Sequence, residues 1–296
     1  MSAPDWAKPL LNLADRLDAI LPPVYPDIDW AETWAASWHG FSDQHGGLEP
    51  LAQPSPYSFD DLLAMDRQKS AFRANAQLFI KGWPFNHVLL WGARGTGKST
   101  LVRALLTELA PKGLRLIEVS KTELHQLPRI VRGLARQPYH FVLFCDDLSF
   151  ESGDTGYQAL KSVLEGSLAQ MPENLMVIAT SNRRHLVPEH GSDNAGSRWE
   201  DNELHMSDAV EEKIALADRF GLAISFYQYS AEDYLAICKA AYLKIADQIG
   251  QPMPAFDDRM SVEAQRFATQ RGGRGGRIAQ QFARDWIGRY LADQLI

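Results

Sequence analysis

The sequence predicts an α/β fold, a parallel five-stranded sheet packed between helices and followed by a small all-helical domain, and three observations carry that prediction. Near-continuous apolar runs alternate with helix-period segments between residues 87 and 226, which marks strands buried on both faces. The first of those runs, His87-Val88-Leu89-Leu90-Trp91, leads straight into the glycine-rich turn Gly92-Ala93-Arg94-Gly95-Thr96-Gly97-Lys98-Ser99. After Ser230 the strand pattern stops and only helical periods remain.

Residues 1–57 read as an N-terminal helical extension, punctuated by Pro4, Pro9, Pro22, Pro23, Pro26, Pro50, Pro54 and Pro56. Two helical patterns lie in it, Leu10 to Leu21 and Trp30 to Phe41. The second sets Trp30, Trp34, Trp38 and Phe41 at i, i+4, i+8 and i+11, one aromatic stripe on a helix. Such a stripe either packs on the main domain or docks a client or neighbouring subunit.

The main α/β domain is expected over residues 58–228. Asp60 to Phe79 reads as one or two helices, Gly82-Trp83-Pro84 as a turn, and 87–91 as the first strand. Thr100 to Leu109 is helical, Leu114 to Val119 a strand, Leu124 to Gln137 helical, and Phe141 to Cys145 a strand that ends in Asp146-Asp147. Tyr157 to Gln170 reads as helix, Leu175 to Thr180 as strand, and the polar stretch from Pro188 to Ser207 as a surface loop. Val210 to Arg219 is an expected helix and Leu222 to Phe226 the fifth strand. Helices over Ser230 to Ile249, Ser261 to Gln270 and Arg277 to Leu295 make the second domain, residues 229–296.

The glycine-rich turn fits GxxxxGK[ST] at every fixed position and sits between a strand and a helix, so it predicts binding of a nucleoside triphosphate. Backbone N–H groups of Gly92 to Thr100 face a polyphosphate in such a turn, with the glycines supplying the unusual angles. Lys98 reaches the β and γ phosphates, and the Ser99 hydroxyl is placed for Mg²⁺. Downstream, the paired acids at the strand tip offer one carboxylate to the Mg²⁺ shell, Asp146, and one to the attacking water, Asp147.

Composition sets outer limits. The 296 residues carry a formal charge of −7 and a pI near 5.6, against a surface that binds nucleic acid by bulk charge alone. No apolar stretch has the length of a membrane span and the start lacks a secretory pattern, so a cytoplasmic protein is expected. Cys145 and Cys238 sit in apolar patterns without metal or disulfide spacing and read as small buried residues.

The glycine-rich turn, the strand ending in Asp146-Asp147, the strand ending in Ala179-Thr180-Ser181-Asn182, the Asp218-Arg219-Phe220-Gly221 turn and the late Gly-Arg helix start resemble, in that order, an AAA+ P-loop ATPase. The match covers residues 58 to 296. The runs FCDDLSF and ATSNRRHL look most like a family of uncharacterised bacterial AAA+ ATPases; the acid pair is also similar to that of bacterial replication initiators, and the turn before the last strand to that of Holliday-junction branch-migration motors. The resemblance implies that Asn182 is the first sensor and that Arg219 is an arginine finger reaching into the next subunit of a ring or spiral homo-oligomer. Arg277 matches the second sensor, with Arg274 as the alternative, and the terminal helices are the lid. Many such motors carry Glu where Asp147 stands, one methylene longer, so the shorter acid favours a slow switch over a fast motor. With no aromatic-hydrophobic-Gly tripeptide beyond the partial Gly156-Tyr157, polypeptide threading is not indicated. ATP and Mg²⁺ are thus the expected ligands of a hydrolase acting on an unknown client protein or nucleic acid, or of a scaffold or loader that switches on ATP binding alone.

Overall fold

The computed structural model describes residues 27–42, 45–52, 57–149, 155–165, 171–182, 198–200, 203–205 and 216–294. One seven-stranded sheet dominates, built from β1 (Ala35–Ser42), β2 (His45–Pro50), β3 (Val88–Gly92), β4 (Leu114–Glu118), β5 (His140–Cys145), β6 (Leu175–Ser181) and β9 (Leu222–Phe226). Its order is β2-β1-β4-β5-β6-β3-β9, and every neighbouring pair is parallel except the β1–β2 hairpin.

The apolar runs are continuous because each strand feeds two cores. Along β5, Phe141, Leu143 and Cys145 enter one cluster while Val142 and Phe144 enter the other. The same alternation runs along β6, with Leu175, Val177 and Ala179 on one face and Met176 and Ile178 on the other. Helices α1 (Asp66–Ile80) and α2 (Lys98–Leu109) cover one face; α3 (Leu127–Leu134) and α4 (Thr155–Glu165) cover the other. Both cysteines are buried, as their apolar settings predicted.

Helices α5 (Ala231–Ile249), α6 (Asp258–Gln270) and α7 (Gly276–Asp293) follow the sheet and close two small cores of their own, one around Tyr234, Ala264 and Phe282 and one around Tyr242, Met260 and Ile287. Side-chain oxygens start two of them: Ser230 accepts from Asp233 N, and Asp257 from Met260 N. Among the described residues no helix is long and apolar enough to cross a membrane.

Three expectations need correction. The sheet has seven strands rather than five, because residues 35–50 join it as a parallel strand and an antiparallel edge strand. The expected helix over Trp30 to Phe41 is therefore mostly β1, and this part of residues 1–57 is not a helical extension. Spacing i, i+4 satisfies a period of two as well as 3.6, and Gly40, Gly46 and Gly47 favour a hairpin with close packing over a helix. The stripe divides: Trp30 and Trp38 are buried in one core, Trp34 packs against the other, and Phe41 is exposed. The polar stretch from Pro188 to Ser207 holds two short strands, β7 (Arg198–Glu200) and β8 (Glu203–His205), paired antiparallel. The expected helix over Leu10 to Leu21 and most of the one over Val210 to Arg219 lie outside the described residues.

Candidate functional site

Strand β3 ends at Gly92, and α2 begins six residues later at Lys98 behind Gly97, whose φ of 96° is left-handed. Gly92 has φ 126°, and a Cβ there would fall 2.0 Å from the carbonyl oxygen of Phe226 on β9. Glycine is required because β9 runs against the turn, with Ala93 N donating to that carbonyl at 2.9 Å. No side chain caps α2, so the orphan N–H groups of its first turn face the concave side of the loop. These are the groups an anion needs.

Lys98 is only 7% exposed, and its ammonium donates to the Gly92 and Ala93 carbonyls at 2.8 and 2.9 Å and to Asn182 Oδ1 at 3.1 Å. Burial lowers its pKa; Asp147 and Asp146 pull it back up, while Arg94 and Arg277 push it down. The strand order explains why these groups meet. Because β3, β6 and β5 lie side by side and parallel, the segments leaving their C-terminal ends share one edge of the sheet. There Asp146 Oδ1 accepts from Ser99 Oγ at 2.8 Å and from Thr180 Oγ1 at 2.5 Å. Asp147 has φ 53°, its N–H donates to Thr180 Oγ1 at 2.8 Å, and its carboxylate accepts from Asn182 Nδ2. Lys98, Ser99, Asp146, Asp147 and Asn182 thus form one connected polar cluster.

Thr180 holds both acids and was not singled out from the sequence. Its signal is a hydroxyl at the end of an otherwise apolar strand, Leu175 to Ala179. From the helical unit, Arg277 reaches the same loop, its N–H 3.4 Å from Gly95 O and its Cβ 3.5 Å from where a Cβ on Gly95 would be. Arg274 instead accepts from Tyr229 N through its main-chain carbonyl at 3.3 Å. Tyr229 was also missed; its hydroxyl donates to Thr96 O at 2.8 Å. Beside it a cleft of about 130 Å³ is lined by Ala64, Met65, Thr96, Phe226, Tyr227 and Tyr229 among others.

Arg219 does not join this cluster. It precedes β9, whereas the glycine-rich turn follows β3; the register pairs Val88 with Leu222 and Gly92 with Phe226, so the two lie at opposite ends of neighbouring strands. Four strand residues alone separate them by about 13 Å. Its Nη2 pairs with Glu165, and its Nη1 is buried without an acceptor among the described residues.

The chain belongs to the family described as Protein of unknown function (DUF815), which matches residues 31–290. No curated protein matches it. Among solved structures, a point mutant of Thermotoga maritima RuvB is similar with a TM-score of 0.50 at 18% identity, covering 77% of this chain and 64% of that one. The Thermotoga maritima RuvB Holliday junction branch migration motor gives a TM-score of 0.43 at 16% identity, over 78% of this chain and 72% of that one. The chain spans 64% of the length of the first of these, and the likeness is one of fold. The resemblance to an uncharacterised family is borne out by the family match, and the likeness to RuvB bears out the α/β fold.

Proposed function

We propose that this family member binds Mg-ATP in the turn between β3 and α2 and hydrolyses it at a site shared between subunits, driving a shape change on a client. The observation that carries the reading is the 2.8 Å bond from Ser99 Oγ to Asp146 Oδ1 beside the buried Lys98 ammonium. A hydroxyl and a carboxylate are the hard oxygen donors that suit Mg²⁺, and Ser99 and Asp146 would hold it. When bound, that ion would offset the negative charge of the phosphates.

The chain's own groups supply the rest. The N–H groups from Gly95 to Thr100 hold phosphate oxygens, and Lys98 exchanges neutral carbonyl partners for charged ones. Asp147 orients and deprotonates the attacking water, with Asn182 fixing its carboxylate. Arg277 and Arg94 add positive charge around the loop. Arg219 lies too far from its own loop to act there, which favours service to a neighbouring subunit in a ring or spiral; such a cation contributes about 10³ to 10⁵ in rate.

Phosphate release from Mg-ATP, followed over a range of protein concentrations, tests this reading. Lys98→Ala is expected to be silent throughout, and Arg219→Ala to lose the rise of specific activity with concentration. If Arg219→Ala keeps that rise, the shared site is wrong. A second reading, an ATP-dependent scaffold or loader with little hydrolysis, is favoured by the short Asp147 side chain being engaged by Asn182. Asp147→Asn separates the two: a cellular function that survives it while Lys98→Ala abolishes it belongs to the switch, and loss in both belongs to hydrolysis.

A further inference from the structure

Two carbonyls of the glycine-rich turn point away from its concave side and are held by groups from beyond β9. Tyr229 Oη donates to Thr96 O at 2.8 Å, and Gly276 N, in the first residue of α7, donates to Gly95 O at 2.7 Å. A trans peptide is planar, with its C=O and N–H opposed. Fixing Thr96 O outward therefore turns Gly97 N–H inward, and fixing Gly95 O outward does the same for Thr96 N–H. Close approach is built in, since a Cβ on Gly275 would lie 3.1 Å from Gly95 O. Burial pushes the Tyr229 hydroxyl up to about 12, so it stays a donor near neutral pH. The N–H of Gly276 is free to serve because the first residues of a helix have no intrahelical acceptor.

We propose that Tyr229 and the Gly276 N–H are positioning groups for the phosphate loop: by holding the Thr96 and Gly95 carbonyls they aim the Gly97 and Thr96 N–H groups at the β-phosphate, so nucleotide affinity depends on how the three-helix unit is seated. The inference rests on the nucleotide reading above and adds its reciprocal. What tightens phosphate binding also seats the helices, because coupling between two equilibria acts both ways.

Calorimetric titration of the full chain with ADP, Mg-ATP and inorganic pyrophosphate tests it on four proteins: wild type, Tyr229→Phe, Gly276→Ala and Gly276→Pro. Proline deletes the N–H and crowds Gly95 O, yet it is tolerated at the first helical position, and Gly275 at φ −120°, ψ 156° already has the conformation that precedes proline. Alanine keeps the N–H, with its Cβ 3.4 Å from Gly95 O. Tyr229→Phe and Gly276→Pro are expected to weaken all three ligands by about 5- to 20-fold, and Gly276→Ala to bind as wild type. Tyr229→Phe should raise KM for ATP by the same factor with kcat unchanged. A merely structural role would leave pyrophosphate affinity alone. Wild-type affinity in both Tyr229→Phe and Gly276→Pro overturns the proposal; a wild type that binds none of the three overturns the nucleotide reading, and this inference with it.

Discussion

Lys98 and Arg115 are both buried cations that donate to main-chain carbonyls, and they serve opposite ends. Arg115, 4% exposed, donates from Nε to Trp30 O at 2.6 Å and from Nη1 to Ala110 and Leu114 O at 2.9 and 2.7 Å, with its guanidinium 4.5 Å from the Tyr139 ring. That planar fork fixes three chain segments at once, tying the turn before β1 to β4. Lys98 has a flexible stem, two carboxylates nearby and an open loop beside it. The same depth of burial makes a staple of one and an exchangeable charge of the other. What differs is whether the acceptors are fixed by packing or are replaceable by a ligand.

The largest effect expected from breaking this contrast is on stability. Arg115→Leu removes three hydrogen bonds to main-chain carbonyls, of which Ala110 O keeps Gly113 N as a donor at 3.0 Å, and should cost about 3 to 5 kcal/mol in urea unfolding, with the folded fraction still binding nucleotide as wild type. Lys98→Ala should do the reverse, removing at least about 100-fold in ATP turnover, or about 2.7 kcal/mol, while the unfolding midpoint holds or rises. A third base, half-buried, resolves the same problem by giving up its proton. His87 accepts from Val177 N at 3.2 Å, and burial pushes its pKa down from 6.5 to about 4. Below pH 6.5 the unfolded chain takes up a proton that the folded one refuses, so stability falls as pH drops from 6.5 toward 4 and levels off beneath. From pH 7 to pH 5 the loss should be about 2 kcal/mol by urea midpoint, and smaller in His87→Asn. The smallest effect tests the fork itself: Arg115→Lys keeps charge but not planarity, and should cost about 1 kcal/mol.

The legibility of the sequence divides along the same line. Around Lys98 the chemistry needs specific residue types at fixed spacing, so Gly92, Gly95, Gly97, Ser99 and the acid pair were readable without coordinates. Their meeting with Asn182 follows from parallel strand order, which the apolar runs implied. The hairpin was not readable, because Trp30, Trp34 and Trp38 suit either period and the register of β1 on β4 is set by packing, including the contact of Trp38 Nε1 with Gln126 Oε1 at 3.0 Å. Nor was Tyr229, since nothing in its neighbourhood announces that its hydroxyl will meet a carbonyl 133 residues away. The pairing of Arg219 with Glu165 is equally a product of topology, joining α4 to the residues before β9. Residue type can suggest a finger; only the fold decides where it rests.

The closeness of β9 to the glycine-rich turn has a mechanical consequence. Gly92 and Ala93 lie against Phe226, and the chain runs from Phe226 through Tyr227, Gln228, Tyr229 and Ser230 directly into α5, which is 19 residues long. That helix extends about 28 Å from its pivot, and a rotation of about 10° there would sweep its far end by about 5 Å, simple lever geometry on that length. Under the nucleotide reading proposed above, displacements of a few tenths of an ångström beside a bound phosphate would be magnified with distance, putting the short arm of the lever at the loop and the long stroke at the outer end of the helix.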